Sequence, residues 1–303
     1  MKHRFLMLLV AVSAAFALSA CGETGTVISP TPMGNEKPSE APTQAPTEVP
    51  TEAPTEAPTE APTEGPTPTP KPEKDLSEFN PLDFFADAVY CGDSCMNFYM
   101  WRGNSYVHPD IFGKYNANNW YAVNSYSCRL ALKDASTLTE AETAMVPKYN
   151  GEPCNLWNVI PALGKHRVFM FFGLNDIGIT GVDGFLDNYK ALIEKIKATG
   201  FETKIYILSI TSMRKDKQST TGGLTNEKIK EANEKLVTMC RENGWTYVDV
   251  ASKLRDENYD LLLEYSDGTN VHFSKAGYVF WDEAMEKLAR EELRKEYYED
   301  GAK

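Results

Sequence analysis

The sequence predicts an α/β domain with a parallel central sheet over residues 76–303. Three observations lead there. Short apolar runs alternate with longer segments of helical period, which is the pattern of βαβ units. The run Arg167-Val-Phe-Met-Phe-Phe172 is apolar almost throughout, as expected of a strand covered on both faces. Two of the apolar runs end at glycine, Gly92 and Gly173, where a chain can leave a sheet sharply.

Ahead of that domain lie two segments of different character. Residues 1–20 read as an export signal: Lys2, His3 and Arg4, then the apolar stretch Phe5 to Leu18, then small residues before Cys21. The apolar core is short for a bilayer crossing, so a cleaved signal is expected. Residues 21–75 hold 13 of the chain's 18 prolines, and Ala-Pro-Thr-Glu recurs from Ala41 to Glu64. Such a stretch has too little apolar surface to offset the entropy of ordering, so a disordered tether is expected. Proline at every fourth place and repeated glutamates favour extended conformers.

Within the domain, the expected strands are Asp87–Cys91, Trp120–Asn124, Arg167–Phe172, Lys204–Ile210 and Thr246–Val250. Val182–Thr199 has helical period, with Phe185, Tyr189, Leu192, Ile193 and Ile196 on one stripe and Gly200 as its stop. Asn226–Asn243 repeats the pattern with Ile229, Ala232, Leu236 and Met239. The last helix is expected from about Lys275 to Tyr297, capped by Ser274, with Tyr278, Trp281, Met285 and Leu288 facing inward.

Composition narrows the function. The formal net charge is −12, and no Lys/Arg stripe marks the domain, so nucleic acid is not an expected partner. Without Cys21, five scattered cysteines remain, and their spacing does not suit a zinc site. No metal and no organic cofactor is expected. Buried free thiols are the expectation for most of these cysteines, with one or two disulfides as the alternative.

Three side chains carry the candidate chemistry. Ser94, in Val89-Tyr90-Cys91-Gly92-Asp93-Ser94, stands where a strand gives way to a helix, so backbone holds its hydroxyl at the carboxyl edge of the sheet. Its alternative reading is a helix N-cap. Asn175, in Phe172-Gly-Leu-Asn-Asp176, projects from the same edge and can donate an amide N–H to a developing oxyanion. His272, in Tyr265-Ser-Asp-Gly-Thr-Asn-Val-His272, precedes the last helix and is the expected general base.

Gly92-Asp93-Ser94, Gly173-Leu174-Asn175-Asp176, and Asp267 ahead of His272 together resemble the blocks of the SGNH (GDSL-type) hydrolases. The resemblance covers roughly residues 86–290. It implies a flavodoxin-like three-layer α/β/α sandwich of about five parallel strands. It implies Ser94 as nucleophile, His272 as base and Asn175 as oxyanion donor. Two departures stand out. The family places its acidic residue three positions before the histidine; here that position is Thr269, and Asp267 lies five before. Either Asp267 or a backbone carbonyl then orients the imidazole. The family's glycine after the second strand is absent from Val123-Asn124-Ser125-Tyr126, which leaves a backbone N–H of Asn124 or Ser125 to join Asn175. Leu18-Ser19-Ala20-Cys21 resembles a bacterial lipobox, which implies a lipid on Cys21 and a place on the outer face of a cell membrane. The reading is a monomeric serine esterase acting on small esters, acylated carbohydrate foremost. Tyr99, Trp101, Tyr106, Trp120, Trp157 and Tyr265 are candidates to stack on sugars. Transfer of acetyl to surface glycans, and glycan binding by a degenerate site, are the alternatives.

Overall fold

A computed structural model of the chain describes residues 71–100, 119–218 and 223–299. Cys21, the expected signal and the Ala-Pro-Thr-Glu repeats lie outside the described residues, as do Trp101 and Tyr106. Five strands form one sheet: β1 Ala88–Gly92, β2 Trp120–Ala122, β3 Arg167–Phe171, β4 Lys204–Leu208 and β5 Thr246–Val248. Their spatial order is β2-β1-β3-β4-β5, and every pairing is parallel. That is the flavodoxin-like order, with a switch point between β1 and β3. Each strand overlaps an expected run, with β1 reaching one residue further, to Gly92. β4 stops two residues early because Asn233 takes over at Ile210: its side-chain oxygen accepts the Ile210 N–H at 2.8 Å and its amide donates to the Ile210 carbonyl at 2.7 Å.

The helices are α1 Pro81–Phe85, α2 Ser94–Phe98, α3 Cys128–Ala131, α4 Glu140–Thr143, α5 Leu156–Leu163, α6 Ile177–Lys197, α7 Asn226–Asn243 and α8 Lys275–Glu299. A short antiparallel ribbon pairs Lys148–Tyr149 with Glu152–Pro153. Neighbouring residues of a strand point to opposite faces, and the aromatic contacts follow that rule. Phe169 meets Phe84 of α1 and Phe171 meets Trp281 of α8, whereas Phe172 meets Tyr189 of α6. Helices α3, α5 and α7 pack on α6, and α1 packs on α8. The sheet therefore lies between two helical layers.

The stripes read from the sequence are the buried ones. Phe185, Tyr189, Leu192, Ile193 and Ile196 of α6 are in the core, as are Ile229, Ala232, Leu236 and Met239 of α7 and Tyr278, Trp281 and Met285 of α8; Leu288 packs half-buried against them. Cys91, Cys95, Cys128, Cys154 and Cys240 are free thiols, and four of them are buried.

Candidate active site

The site begins where β1 runs out. A Cβ at Gly92 would stand 2.5 Å from the Phe171 carbonyl oxygen of β3 and 2.9 Å from the Met96 Cβ of α2, so only a hydrogen fits. This close approach lets α2 start immediately beyond the strand. Asp93 is its N-cap: the fully buried carboxylate accepts the Cys95 N–H at 2.9 Å. Ser94 is thus the first residue of a short helix at the carboxyl edge of β1, beside the switch point.

His272 arrives from the long segment between β5 and α8. An antiparallel bridge joins Ser266 to Phe273, and the Ser274 N–H donates to the Tyr265 carbonyl at 2.7 Å, which closes the loop carrying the histidine. The Ser94 Oγ lies 2.8 Å from His272 Nε2, across 178 residues of chain. An imidazole carrying its proton on Nδ1 accepts the serine hydroxyl at that distance. Phe98 meets the imidazole edge-on, ring centres 4.8 Å apart. Sequence reading missed Phe98. Its signal was spacing: it lies four residues after Ser94 on one helix, so both face the same way.

Asn175 follows Gly173, whose φ of 129° is open to glycine and strained for other residues. The Asn175 amide donates to Asp93 Oδ2 and to the Tyr126 carbonyl, each at 3.3 Å. Both bonds are long, so they aim the amide yet are weak enough to yield a hydrogen to a better acceptor. Tyr126 closes a turn whose N–H donates to the Val123 carbonyl at 3.2 Å, and Ser125 within it has φ 65°. Ser125 therefore adopts the left-handed backbone that a glycine adopts freely, at the block where the sequence has none. Asn124, its neighbour, accepts the Asn97 side-chain amide at 3.1 Å.

Ser94, Asn124, Ser125, Asn175 and His272 line one cavity of about 500 Å³, with Lys217 also in its wall. Four of the five sequence-predicted site residues, Ser94, Ser125, Asn175 and His272, thus line this cavity. The fifth, Asp267, sits in the histidine loop. Its N–H donates to the His272 carbonyl at 3.2 Å, and its carboxylate accepts the Thr269 N–H at 2.9 Å and hydroxyl at 2.7 Å. Cys95, adjacent to Ser94, is buried with its thiol against the Val271 carbonyl.

Two carboxylates that the sequence showed only as motif letters underlie the cavity. Burial, reinforced by nearby Asp176, pushes Asp93 up to about 8, against the pull of the Cys95 N–H. Burial also raises Asp176, although the N–H groups of Arg129 and Cys128 hold its oxygens at 3.2 Å. No cluster of metal-ligating side chains occurs among the described residues. Of the aromatic candidates within the described residues, Tyr99 and Trp120 are core residues, Trp157 lies under Lys195 and Tyr265 packs on Phe280, and none of these four lines the cavity. Apolar content alone does not distinguish a ring that packs from one that lines a cavity.

Among solved structures, the chain is similar to a GDSL-like lipase from Bacteroides thetaiotaomicron, with a TM-score of 0.48, 16% identity, and coverage of 67% of this chain and 87% of that one. It is similar to a lipase/acylhydrolase from Enterococcus faecalis, TM-score 0.48 and 15% identity, covering 68% and 95%. A carbohydrate esterase family 3 structure from Talaromyces cellulolyticus gives a TM-score of 0.43 at 11% identity, covering 69% and 98%. No curated protein sequence matches. The profile of the GDSL-like Lipase/Acylhydrolase family matches residues 92–280, from Gly92 through His272 into α8, and the chain belongs to that family.

Proposed function

We propose that the protein is a serine ester hydrolase that removes acetyl or similar short acyl groups from carbohydrate, working outside the cytoplasm and tethered to a membrane by a lipid on Cys21. The observation that carries the chemistry is the 2.8 Å approach of Ser94 Oγ to His272 Nε2. His272 takes the serine proton as Oγ attacks the ester carbonyl. The Asn175 amide and a backbone N–H of the Asn124–Ser125 turn receive the oxyanion. The tetrahedral adduct collapses, and the departing alcohol takes the proton from His272. Water then attacks the acyl-serine with His272 as base, and the carboxylic acid leaves. Asp267 shapes the loop that presents the imidazole.

The carbohydrate reading is supported by the cavity wall, where Asn124, Ser125, Asn175 and Asn270 offer amides and hydroxyls to a sugar, beside a few apolar side chains suited to a short acyl group. The basic-then-apolar start and Leu18-Ser19-Ala20-Cys21 support the location. Ser94→Ala in the soluble domain, assayed on 4-nitrophenyl acetate, is expected to lower kcat/KM by at least about a thousandfold with an unchanged circular dichroism spectrum. Undiminished turnover would end the proposal. Acetylated xylan, mannan and peptidoglycan, set against long-chain lipid esters, test the substrate class; hydrolysis of lipids alone would overturn it.

A further inference from the structure

Lys217 is the one side chain of fixed charge in the cavity wall among the described residues, and no carboxylate stands in that wall with it. The chain as a whole is acidic, with a net charge of −12. Hydrogen bonds of its neighbours fix its place on both sides. Lys217 ends a short 3-10 turn, Lys215–Lys217. Its N–H donates to the Arg214 carbonyl at 3.1 Å, and the Arg214 N–H donates to the Asn270 carbonyl at 2.9 Å, two residues before His272. On the other side, Gln218 accepts the Asn226 N–H at 3.0 Å and donates to Asp260 at 2.9 Å.

The nearby carboxylates are committed elsewhere. Both oxygens of Asp216 are held by the Arg214 guanidinium, at 2.9 and 2.7 Å. Asp260 is buried and accepts from the Gln218 and Asn226 side chains. Among the described residues, no carboxylate meets the Lys217 ammonium within ion-pair distance. A cation in an otherwise neutral wall, shared with Ser94 and His272, attracts an anion supplied from solution.

Resting on the esterase reading, we infer that Lys217 selects acylated substrates carrying one negative charge near the scissile ester. One ammonium balances one charge, so the fitting groups are a sugar carboxylate or a phosphodiester. A lysine recognises either as a point charge, without the two-pronged geometry an arginine imposes.

The test uses three O-acetylated methyl glucosides that differ at C6: a carboxylate, a methyl phosphodiester and a neutral carboxamide. The readout is the ratio of kcat/KM for each anion to that for the carboxamide, because a loss of folding or of general activity lowers all arms together. At low salt the wild-type ratio is expected to be roughly five to ten for at least one anion and to shrink as salt rises. Which anion gives the ratio identifies the source of the charge. Lys217→Met is expected to bring it to about one, and Lys217→Arg to restore most of it. A wild-type ratio near one, a ratio that survives in Lys217→Met, or an equal fall in all arms of that variant overturns the inference. If the wild type hydrolyses none of the three, nor 4-nitrophenyl acetate, the esterase reading has failed on its own account. Calorimetric titration with the deacetylated sugars then decides the matter: tighter binding of an anion, lost in Lys217→Met, upholds the role of the lysine, and equal binding rejects it.

Discussion

Asp267 and His272 stand on opposite arms of one small loop, and hydrogen bonds inside that loop tie the acid to the turn. Its carboxylate accepts from the Thr269 N–H and hydroxyl, and the His272 N–H donates to the Thr269 hydroxyl oxygen at 3.2 Å. The carboxylate thus holds the turn that holds the histidine. With a backbone carbonyl orienting the imidazole, Asp267→Ala is expected to cost kcat roughly tenfold and His272→Ala at least about a thousandfold, measured on the same acetyl ester. Equal losses would instead give the carboxylate a direct hold on the imidazole. The spacing of five was visible in the sequence, but the partner of the carboxylate was not, because it depends on how the loop closes. Asp93 makes the same point with a second measurable consequence. It is fully buried, and its folded pKa of about 8 lies above the ordinary 3.8. Between those values the folded state holds a proton that the unfolded state has lost, so stability falls as pH rises from about 4 to about 8. Asp176, raised in the same direction, adds to the slope. Asp93→Asn removes one contributor, so its urea midpoint is expected to change less between pH 5 and pH 8 than that of the wild type. An unchanged slope would show that Asp93 titrates near its ordinary value.

The elements that place these residues differ in how openly the sequence declared them. The five strands were legible because each buried run is apolar and bounded by turn residues, and α7 was legible because its stripe and its stop, Gly244, coincide with its ends. Helix α6 was legible only from Val182. Its first turn, from Ile177, is set off by Gly181 at φ 73°, so the periodic stripe begins after the break. Helices α3 and α4 were not read at all. Each has four residues, shorter than any apolar period can register, and each depends on a side-chain cap, Ser127 and Thr139. The turn after β3 was readable from Gly173 alone, and its rigidity can be tested. A Cβ there would lie 2.6 Å from Ile210 Cδ1, on a backbone with φ 129°. Gly173→Ala is expected to lose about 2–3 kcal/mol of stability in urea unfolding, from overpacking and backbone strain together. Because Asn175 is two residues away, kcat is expected to fall as well. A stable variant with full activity would show that the turn relaxes freely.

Across the molecule, the parallel sheet separates two poles. Ser94 and Asn175 follow β1 and β3 at the carboxyl edge, and His272 reaches the same edge just before α8 begins. Helix α8 then spans 25 residues, about 37 Å at 1.5 Å per residue, and returns to the amino edge. Near its end, Glu296 pairs with Arg167 and Lys204, the first residues of β3 and β4, at 2.8 Å each. The beginning of the described chain joins it there. Lys71 donates to the Tyr297 carbonyl, Lys71 and Lys74 lie over the Tyr297 ring, and the Lys74 N–H donates to the Tyr298 hydroxyl at 2.9 Å. The Arg290 guanidinium secures the Phe79 carbonyl. Residue 71 therefore enters at the pole opposite the cavity. Coupling the domain to beads tests this, through Lys71→Cys in one preparation and Lys215→Cys, beside the cavity wall, in another, each made in a Cys154→Ser background because Cys154 is the one partly exposed thiol among the described cysteines. Beads coupled at residue 71 are expected to keep both polymer and 4-nitrophenyl acetate turnover. Coupling at residue 215 is expected to spare the small ester and lose most of the polymer. Equal loss of polymer turnover at the two sites would mean that residue 71 does not lie away from the cavity mouth.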